Sequence, residues 1–595
     1  MSKKLLMGNE AIARGAIEAG LNLATAYPGT PSSEIIGTLA EWSGDFPYYV
    51  EWSVNEKVAM EVAAGAAYTG ANALVAMKQV GLNVASDPLM SLAYIGVKGA
   101  MVVVVADDPG PHSSQTEQDT RTFAKFAKLP VFDPASPEEA LEMTKDAFEL
   151  SHRYGMPVFL RPTTRVCHAT AGVDFLEIKN NTPEGFTKDP RWVIFPRLAY
   201  IRHQWLEEQL QKLAVEFSNS AWNKIQSGGR VGIAASGIAY TYAVEAASLL
   251  GINPTILKIG NPHPLPTSKI TEFLQQVDDV FVFEELDPVL EEGVMQCAAQ
   301  IGFKGNIYGK KSGNLPRAGE YSVDLVKAVL AEILGVTINE KSPAVIPDLP
   351  VRPPVLCAGC PHRASFYAVK QATKRTDAIY TGDIGCYTLG NAAPLSMVDT
   401  CLCMGAGITI AQGLSRIAPE RPVFAFIGDS TFFHTGIPGL LNAVYNNHPV
   451  KLVLLDNSTT AMTGHQPHPG IGKTAVGEIA EKIDPVGMIK ACGVKMIEVV
   501  NPLNLAETVE AVKRAMDFPG VAALVMRYPC VALTKPKRHF QINHDLCNNC
   551  RRCIRELGCP AFYTEEKPVI GPSCHGCGLC GQVCPVGAIR EVLPE

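Results

Sequence analysis

Eight of the chain's seventeen cysteines lie close to its C-terminus, between positions 547 and 584. They form two similar runs, Cys547-x2-Cys550-x2-Cys553-x5-Cys559-Pro560 and Cys574-x2-Cys577-x2-Cys580-x3-Cys584-Pro585. Three thiolates spaced by two residues can bind one iron–sulfur cube, and in two-cluster proteins a fourth Cys followed by Pro binds the neighbouring cluster. The pattern therefore predicts a small domain that is built around two [4Fe-4S] clusters and transfers electrons.

The crossover pattern assigns the eight thiolates to two groups of four. One group is Cys547, Cys550, Cys553 and Cys584, and the other is Cys574, Cys577, Cys580 and Cys559. The five-residue gap before Cys559 is longer than the matching gap in the second run, so the geometry of this ligand is the least determined. Structural zinc and disulfides are the alternatives, because CxxC pairs also suit zinc. Zinc would not require eight ligands in a repeated arrangement of three cysteines and a Cys-Pro pair.

The composition limits what else the chain can be. With 595 residues, 47% of them hydrophobic, it is long enough for about four domains. A net charge of −7 argues against a nucleic-acid binder that relies on a basic face. Charges come too early for a signal peptide, and the longest apolar runs, such as 101–106, are far shorter than a bilayer span. Because iron-binding cysteines must be reduced, we expect a cytoplasmic protein.

Prolines mark the clearest division of the chain. Five prolines in the stretch 341–354 oppose both helix and central strand, which predicts an interdomain linker. A second join is expected at 534–539. Before the linker, apolar runs such as 101–106 and 158–160 alternate with Ala-rich stretches, as in parallel sheets covered on both faces. We therefore predict an α/β fold with doubly wound parallel sheets, in which a second α/β domain begins its strands near Gly229.

Two strand-like segments after the linker each end in an oxygen ligand. Asp429 follows the apolar run 423–428, and Asn457 follows the run 451–455 and an aspartate. Groups at the carboxyl ends of parallel strands face the same crevice, so we expect these two side chains to meet at one small ion. Hard oxygen ligands select Mg²⁺, which commonly bridges carboxylates to phosphates.

The spacing of these two segments resembles the diphosphate-binding motif of thiamine diphosphate enzymes. The resemblance implies that Asp429, Asn457 and the main-chain carbonyl of Thr459 hold Mg²⁺, and that Gly428 and Ser430 belong to the cofactor-binding turn. Ser430 stands where the motif more often has glycine. A lone Gly-Asp pair at a strand end is more often structural, but the second half of the motif makes this assignment specific.

Thiamine enzymes also need a carboxylate, contributed by a separate domain, that activates the aminopyrimidine ring. Glu56 precedes a stretch rich in small residues, 59–67, and resembles the glutamate motif of pyrimidine-binding domains. A carboxylic acid bonded to the ring nitrogen favours the tautomer that removes the thiazolium proton. We predict that Glu56 has this role. Glu61 is the rival, and an exposed helix carboxylate is the ordinary alternative for either.

Several motifs together resemble one family, the 2-oxoacid:ferredoxin oxidoreductases. They are the stretches 9–20, 26–33, 357–363, 382–387 and 428–434, together with the terminal cysteine runs. Within the family the chain looks most like the large (alpha) subunits of members that act on indolepyruvate, over essentially its whole length. The resemblance implies that Thr30, which follows a Pro-Gly pair, hydrogen-bonds the cofactor or the substrate.

The same resemblance implies an order of domains. They are a pyrimidine-binding domain at 1–180, a connecting arm and transketolase-C-like domain at 181–340, a diphosphate-binding domain at 355–533 and a ferredoxin-like α+β domain at 540–595. The family's gamma-type domain is missing. Its absence implies a separate small beta subunit and a dimer of heterodimers.

The activity implied by the resemblance is oxidative decarboxylation of an aryl pyruvate, with indolepyruvate as the leading substrate. CoA and ferredoxin are the expected co-substrates, and the products are an arylacetyl-CoA, CO2 and reduced ferredoxin. A pyruvate or 2-oxoglutarate oxidoreductase is the alternative within this class. An electron-carrying subunit with a degenerate thiamine scaffold is the alternative from another class. The loop 462–468, which contains His465 and His468, is the candidate for substrate specificity.

Four further cysteines occupy positions where related oxidoreductases have the ligands of a cluster close to thiamine. They are Cys357, Cys360, Cys386 and Cys530. A third [4Fe-4S] cluster at these residues would shorten the electron route to the C-terminal domain. The alternative is that they are buried free thiols, a common state of cysteine in protein cores. Pro361 also departs from the glycine that the family more often has after the second cysteine.

Overall fold

The computed structural model describes residues 3–338, 347–536 and 538–592. The described residues form two compact units, 3–338 and 347–592, and each unit is described by itself. The predicted linker 341–354 lies outside the described residues over its first part, 341–346, and its remaining part has no regular secondary structure. Within the described ranges, no helix combines the length and the apolar character that crossing a membrane requires.

The first part of the unit 3–338 alternates strands with helices. The strands are β1 (Lys4–Met7), β2 (Leu23–Ala26), β3 (Tyr49–Trp52), β4 (Asn72–Lys78), β5 (Ala100–Ala106), β6 (Val131–Phe132), β7 (Val158–Leu160) and β8 (Thr170–Val173). The helices are α1 (Gly8–Glu18), α2 (Ser33–Trp42), α3 (Glu56–Ala67), α4 (Gln79–Ile95), α5 (Thr120–Ala127), α6 (Pro137–Tyr154) and α7 (Thr164–His168). This alternation is the pattern of parallel sheets with helical crossovers.

These strands form a six-stranded parallel sheet in the order β3-β2-β4-β5-β7-β6, whereas β1 pairs with β8 in a separate antiparallel ribbon. Every residue of β5 is buried, as expected for a central parallel strand covered on both faces. Helix α6 illustrates how the covering helices are delimited. Ser136 caps its first turn by accepting the N–H of Glu139, and Gly155 ends it in the left-handed conformation.

The second part of this unit has its own sheet. The strands are β9 (Asn223–Gln226), β10 (Gly229–Ser236), β11 (Pro254–Ile259), β12 (Asp279–Phe283) and β13 (Ile307–Tyr308). The helices are α8 (Pro196–Ser218), α9 (Ile238–Leu250), α10 (Thr267–Leu274), α11 (Val289–Ile301) and α12 (Val323–Leu334). The sheet order is β13-β12-β10-β11-β9, parallel except for the antiparallel edge strand β9. Much of the stretch predicted as a connecting arm is the 23-residue helix α8.

The unit 347–592 begins with a third parallel sheet. The strands are β14 (Ile379–Thr381), β15 (Val423–Gly428), β16 (Lys451–Asp456), β17 (Met496–Val500) and β18 (Ala522–Arg527), in the order β14-β15-β16-β18-β17. The helices are α13 (Pro361–Ala372), α14 (Ala406–Ile417), α15 (Asp429–Thr431), α16 (Ile437–Tyr445), α17 (Pro485–Ala491) and α18 (Leu505–Asp517). A π-helical turn, Phe432–Gly436, joins α15 to α16.

The C-terminal module is small and of α+β type. It contains β19 (His539–Ile542), β20 (Phe562–Thr564), β21 (Pro568–Ile570) and β22 (Ile589–Val592), with the short helices α19 (Arg552–Arg555) and α20 (Leu579–Val583). β19 pairs with β22 and β20 with β21, both antiparallel. Its core includes Leu557 and Leu579 and continues into Ala364 and Tyr367 of α13, so the module packs directly on the preceding domain. The predicted fold class, α/β with parallel sheets and a C-terminal α+β module, is confirmed.

Candidate active site and iron–sulfur ligands

Asp429 joins the carboxyl ends of β15 and β16. It is buried, and its Oδ2 accepts the backbone N–H of Asn457 at 3.1 Å and that of Ser458 at 2.7 Å. Its Oδ1 accepts the N–H of Ser430 at 2.8 Å. The structure therefore brings together the two strand ends that the sequence predicts to meet, and Oδ1, which accepts a single hydrogen bond, retains a lone pair for a further ligand.

The side chain of Asn457 is oriented by a histidine. Its Nδ2 lies 3.2 Å from Nε2 of His362, and burial lowers the pKa of His362 to about 4, so this ring is neutral. Because an amide NH2 group only donates, Nε2 of His362 is the acceptor. The amide oxygen of Asn457 consequently faces away from the ring, and it accepts the N–H of Thr459 at 3.3 Å.

A second histidine approaches the carboxylate of Asp429. Nδ1 of His468 accepts the N–H of Gly470 at 3.1 Å, so Nε2 is the ring nitrogen that carries a proton. That Nε2 lies 3.2 Å from Oδ2 of Asp429, but the two groups are not aligned as a hydrogen bond. Oγ1 of Thr459 is also buried, and it has no hydrogen-bond partner in the described parts of the chain. The two buried atoms without partners and the carboxylate fit a site that takes a cation together with an anionic group.

The two histidines of the predicted specificity loop 462–468 differ in their exposure to solvent. His468 is buried beside Asp429, whereas His465 is exposed and adopts a left-handed backbone conformation with φ of 67°. Only His468 is therefore placed to affect the site in this unit.

Asp383 is a functional candidate that the sequence analysis missed. It follows β14, and its carboxylate accepts the N–H of Gly405 and that of Ile384, both at 2.6 Å. Burial raises its pKa to about 7. The contact holds the glycine turn, in which Gly405 has φ of 84°, at the N-terminus of α14. Helix N-termini favour anions, so this turn can contribute to a phosphate site. The available signal was the Gly-Asp pair at 382–383, which matches the pair at 428–429.

In the unit 3–338, Glu56 is buried at the start of α3, where Asn55 caps the helix by accepting the N–H of Val58 at 2.9 Å. Gly81 allows helix α4 to lie close to the Glu56 side chain, because an added Cβ at position 81 would lie 2.6 Å from Oε1 of Glu56. The rival Glu61 is exposed and forms an ion pair with Lys57.

Lys78, at the carboxyl end of β4, is a second residue that the sequence analysis missed. Burial lowers its pKa, against the opposing effects of Asp108 and Glu56. Its Nζ donates to the carbonyl of Ser113 at 2.6 Å, and Oγ of Ser113 donates to the carbonyl of Thr30 at 3.0 Å. Thr30 and Glu56 thus belong to one polar group at the carboxyl edge of the first sheet. Nothing in the local sequence distinguishes Lys78 from other lysines that follow strands.

The C-terminal cysteines are grouped across the two runs. Cys559 of the first run lines one cavity together with Cys574, Cys577 and Cys580 of the second. Cys553 lies within electrostatic range of Cys550 and also of Cys584 from the second run. Cys580 also lies within electrostatic range of Cys553, so the division of the eight thiols into two sets of four stays a prediction. Within the described residues, Cys547 shows no comparable contact with another cysteine.

The four cysteines of the predicted third cluster lie in one region of the unit 347–592. Cys386 and Cys530 are each within electrostatic range of Cys357, and Cys360 is as well. Burial raises the pKa of Cys360 to about 12 and that of Cys386 to about 11. The N–H of Cys530 donates to the carbonyl of Asn457 at 2.9 Å, which ties this thiol to the Asp429 site.

Among the residues that the structure describes, no three His, Cys, Asp or Glu side chains converge as ligands of one metal ion.

Three family models match the chain. Residues 14–190 match the thiamine-diphosphate-binding domain of pyruvate flavodoxin/ferredoxin oxidoreductase, and residues 383–526 match the C-terminal TPP-binding domain of thiamine pyrophosphate enzymes. Residues 570–590 match a 4Fe-4S binding domain, which covers the second cysteine run.

Curated relatives extend the similarity to nearly the full length. The indolepyruvate oxidoreductase subunit IorA of Methanothermobacter thermautotrophicus is 44% identical, covering 99% of this chain and 97% of that protein. The subunit IorA of Archaeoglobus fulgidus is 43% identical, with the same coverage of 99% and 97%. The 2-oxoglutarate synthase subunit KorA of the latter organism is 25% identical over 51% of this chain and 93% of that protein.

Proposed function

Because the chain belongs to the family of indolepyruvate oxidoreductase subunits IorA, we propose that it is the thiamine-dependent large subunit of an aryl pyruvate:ferredoxin oxidoreductase. It is an enzyme of the 2-oxoacid:ferredoxin oxidoreductase class, with thiamine diphosphate and an iron–sulfur cluster as cofactors. The reaction of this class is oxidative decarboxylation coupled to ferredoxin. The observation that carries the proposal is the junction of the ends of β15 and β16 at Asp429.

Asp429, the amide oxygen of Asn457 and the carbonyl of Thr459 would hold Mg²⁺, and Gly428 and Ser430 would form the adjoining turn. The burial of Asp429 and Asn457 supports this role, because buried carboxylate and amide oxygens with free lone pairs are the ligands Mg²⁺ prefers. His362 would keep the amide oxygen of Asn457 available to the ion. Metal ligands are commonly oriented by such outer hydrogen bonds.

Bound thiamine diphosphate supplies the carbon nucleophile that attacks the carbonyl of a 2-oxo acid. In this chain Glu56 would hold a proton at the aminopyrimidine ring, and its burial supports that choice over the exposed Glu61. Thr30 lies in the same polar group and would bond the cofactor or the substrate. Lys78 adds a half-buried cation there, which suits an acidic substrate or a phosphate.

The C-terminal cysteines would hold two [4Fe-4S] clusters, one on Cys547, Cys550, Cys553 and Cys584 and the other on Cys574, Cys577, Cys580 and Cys559. A third cluster would be held by Cys357, Cys360, Cys386 and Cys530. The link from Cys530 to Asn457 supports the third cluster, because it brings one thiol to the Mg²⁺ site. Electrons would then pass from the thiamine site through this cluster to the C-terminal module.

The proposed substrate is an aryl pyruvate, with indolepyruvate first, and the products are an arylacetyl-CoA, CO2 and reduced ferredoxin. The support is that relatives 43 and 44% identical to this chain are named as indolepyruvate oxidoreductase subunits. Pyruvate and 2-oxoglutarate are the alternative substrates, because a pyruvate oxidoreductase model and a 2-oxoglutarate synthase subunit also match. The relatives are named as subunits, which supports a partner subunit for this chain. The proposed partner is a separate small beta subunit in a dimer of heterodimers, which would act in the cytoplasm with ferredoxin and CoA.

The decisive experiment compares turnover of indolepyruvate, phenylpyruvate, pyruvate and 2-oxoglutarate by the anaerobically purified two-subunit enzyme with CoA and ferredoxin. We expect the highest kcat/KM for the two aryl substrates. A marked preference for pyruvate or 2-oxoglutarate would overturn the substrate assignment. Native mass spectrometry that found neither bound thiamine diphosphate nor Mg²⁺ would overturn the proposed metal site.

A further inference from the structure

Arg363 is a buried cation between the domain that contains Asp429 and the C-terminal module. It lies in the first turn of α13 and is only 5% exposed. Its Nη1 donates to the carbonyls of Leu557 at 2.5 Å and Gly558 at 2.9 Å. Its Nη2 donates to the carbonyls of Leu356 at 2.6 Å and Cys357 at 3.4 Å. One guanidinium group therefore joins two segments that are about two hundred positions apart.

Both segments lead directly to cysteines of the proposed clusters. The first ends in Cys357, and the second, at Gly558, is followed by Cys559. The loop after Cys357 also touches the second cysteine run, because an added Cβ on Gly359 would lie 2.5 Å from Cβ of His575. Arg363 therefore contacts both of the segments that lead to these two sets of thiols.

The fifth donor of Arg363, its Nε–H, has no partner among the residues that the structure describes. This nitrogen is also buried. Arg363 lines the same cavity as Cys559, Cys574, Cys577 and Cys580. An unpaired buried donor is costly, which indicates that a ligand in the cavity accepts from it.

We propose that Arg363 bridges the two cluster sites: it holds them together, and its Nε–H donates to a sulfur of the cluster bound by Cys559, Cys574, Cys577 and Cys580. This inference rests on the proposed function, which supplies the clusters. In the step concerned, one electron leaves the cluster at Cys357 and Cys360, which is oxidised, and reduces the cluster in the cavity. No bond is made or broken and no proton is transferred.

The charge of Arg363 favours that step for a physical reason. The reduced cluster carries one more negative charge than the oxidised one, and hydrogen bonds to sulfur and nearby charge raise cluster potentials. A guanidinium group remains protonated in proteins, so its charge is permanent. The attraction is strong where water is excluded. Arg363 therefore makes the inner C-terminal cluster the better acceptor and directs electrons toward the module.

The test compares Arg363→Gln, which removes the charge, with Arg363→Lys, which retains it, in the full anaerobic two-subunit enzyme. Arg552→Gln is the matched control, because Arg552 is a module arginine that is ion-paired with Glu556. Iron content is measured first, and EPR-monitored redox titration then gives the potentials. We expect Arg363→Gln to disfavour reduction of one C-terminal cluster about tenfold, a shift of about 59 mV to more negative potential for one electron. Arg363→Lys is expected to show a smaller shift, and Arg552→Gln none.

An Arg363→Gln enzyme with full iron and unshifted potentials would overturn the proposal. If the Arg363→Gln enzyme lost iron, the Arg363→Lys enzyme would test the proposal instead, because lysine retains the positive charge but has fewer hydrogen-bond donors. Full iron with a potential near that of the unmodified enzyme would support the proposal, whereas iron loss equal to that of the Gln variant would show that Arg363 only holds the fold. Failure of the proposed function is distinguishable, since the unmodified enzyme would then lack reducible clusters or turnover.

Discussion

Nδ2 of Asn457 lies 3.2 Å from Nε2 of His362, and both side chains are buried. The histidine can only accept from the amide, so it selects one of the two orientations that the amide could take. The chosen orientation directs the amide oxygen toward the turn that begins at Thr459. His362 thus determines which atom of Asn457 is available to a metal ion.

Replacing His362 tests this arrangement. His362→Leu removes the acceptor and frees the amide to rotate, so we expect Mg²⁺ affinity in the presence of thiamine diphosphate to fall about tenfold. His362→Gln retains an acceptor at a similar distance and should restore most of the affinity. Titration calorimetry with Mg²⁺, or EPR with Mn²⁺ in its place, measures the effect. Equal affinity in the Leu variant would exclude an orienting role for His362.

Asp429→Ala removes the only carboxylate among the proposed Mg²⁺ ligands. We expect loss of turnover and of thiamine diphosphate binding, while the iron content stays unchanged because the cysteines are untouched. Asp377→Ala is the matched control, since Asp377 is an exposed aspartate of the same domain paired with Arg421. Equilibrium dialysis for the cofactor and iron analysis provide the measurements. Normal cofactor binding in the Asp429 variant would show that the metal site lies elsewhere.

Glu56→Gln and Glu61→Gln replace two glutamates of helix α3, of which Glu56 is buried and Glu61 is exposed. We expect Glu56→Gln to bind thiamine diphosphate normally but to lower kcat by about 10²-fold or more, because an amide cannot share the proton that a carboxyl group shares with the ring. Glu61→Gln should leave both properties unchanged. NMR of exchange at the thiazolium C2 proton separates activation from binding. A slow Glu61 variant beside a normal Glu56 variant would reverse the assignment.

Cys386→Ser tests the third cluster in the full-length chain. If Cys357, Cys360, Cys386 and Cys530 bind a [4Fe-4S] cluster, the variant should contain about four fewer irons per chain. Cys492→Ser is the control, because Cys492 is a half-buried thiol outside the proposed ligand sets. Iron analysis and EPR of the reduced protein measure the difference. Identical iron in both variants would mean that these four residues are free thiols.

The strand ends of the site could be predicted because their signal is local. An apolar run followed by an oxygen-bearing residue places Asp429 and Asn457 at the same edge of a parallel sheet. Because the two strands pair, the carboxylate of Asp429 can accept the backbone N–H of Asn457. The cysteine spacing is local in the same way. It indicates which thiols of the two runs come together, including Cys559 after its longer gap.

The remaining site residues depend on contacts across long stretches of chain. The charges of Asp108 and Glu56 act on Lys78, and the carboxylate of Asp383 accepts the N–H of Gly405. Arg363 binds carbonyls of the C-terminal module. No pattern in the sequence near these residues encodes such partners. Helix α8 was hard to predict for a related reason, since only a few of its residues, such as Leu206 and Leu213, are buried and its apolar periodicity is weak.

The packing of the module on α13 bears on how quickly electrons can be delivered. A carrier domain that swings between donor and acceptor must break its docking contacts in every cycle. Here that movement would expose the core shared by Ala364 and Leu557 and break the carbonyl contacts of Arg363. The module therefore behaves as a fixed relay, and internal electron delivery should not slow when solvent viscosity rises. Only the encounter with the diffusing acceptor should show such a dependence.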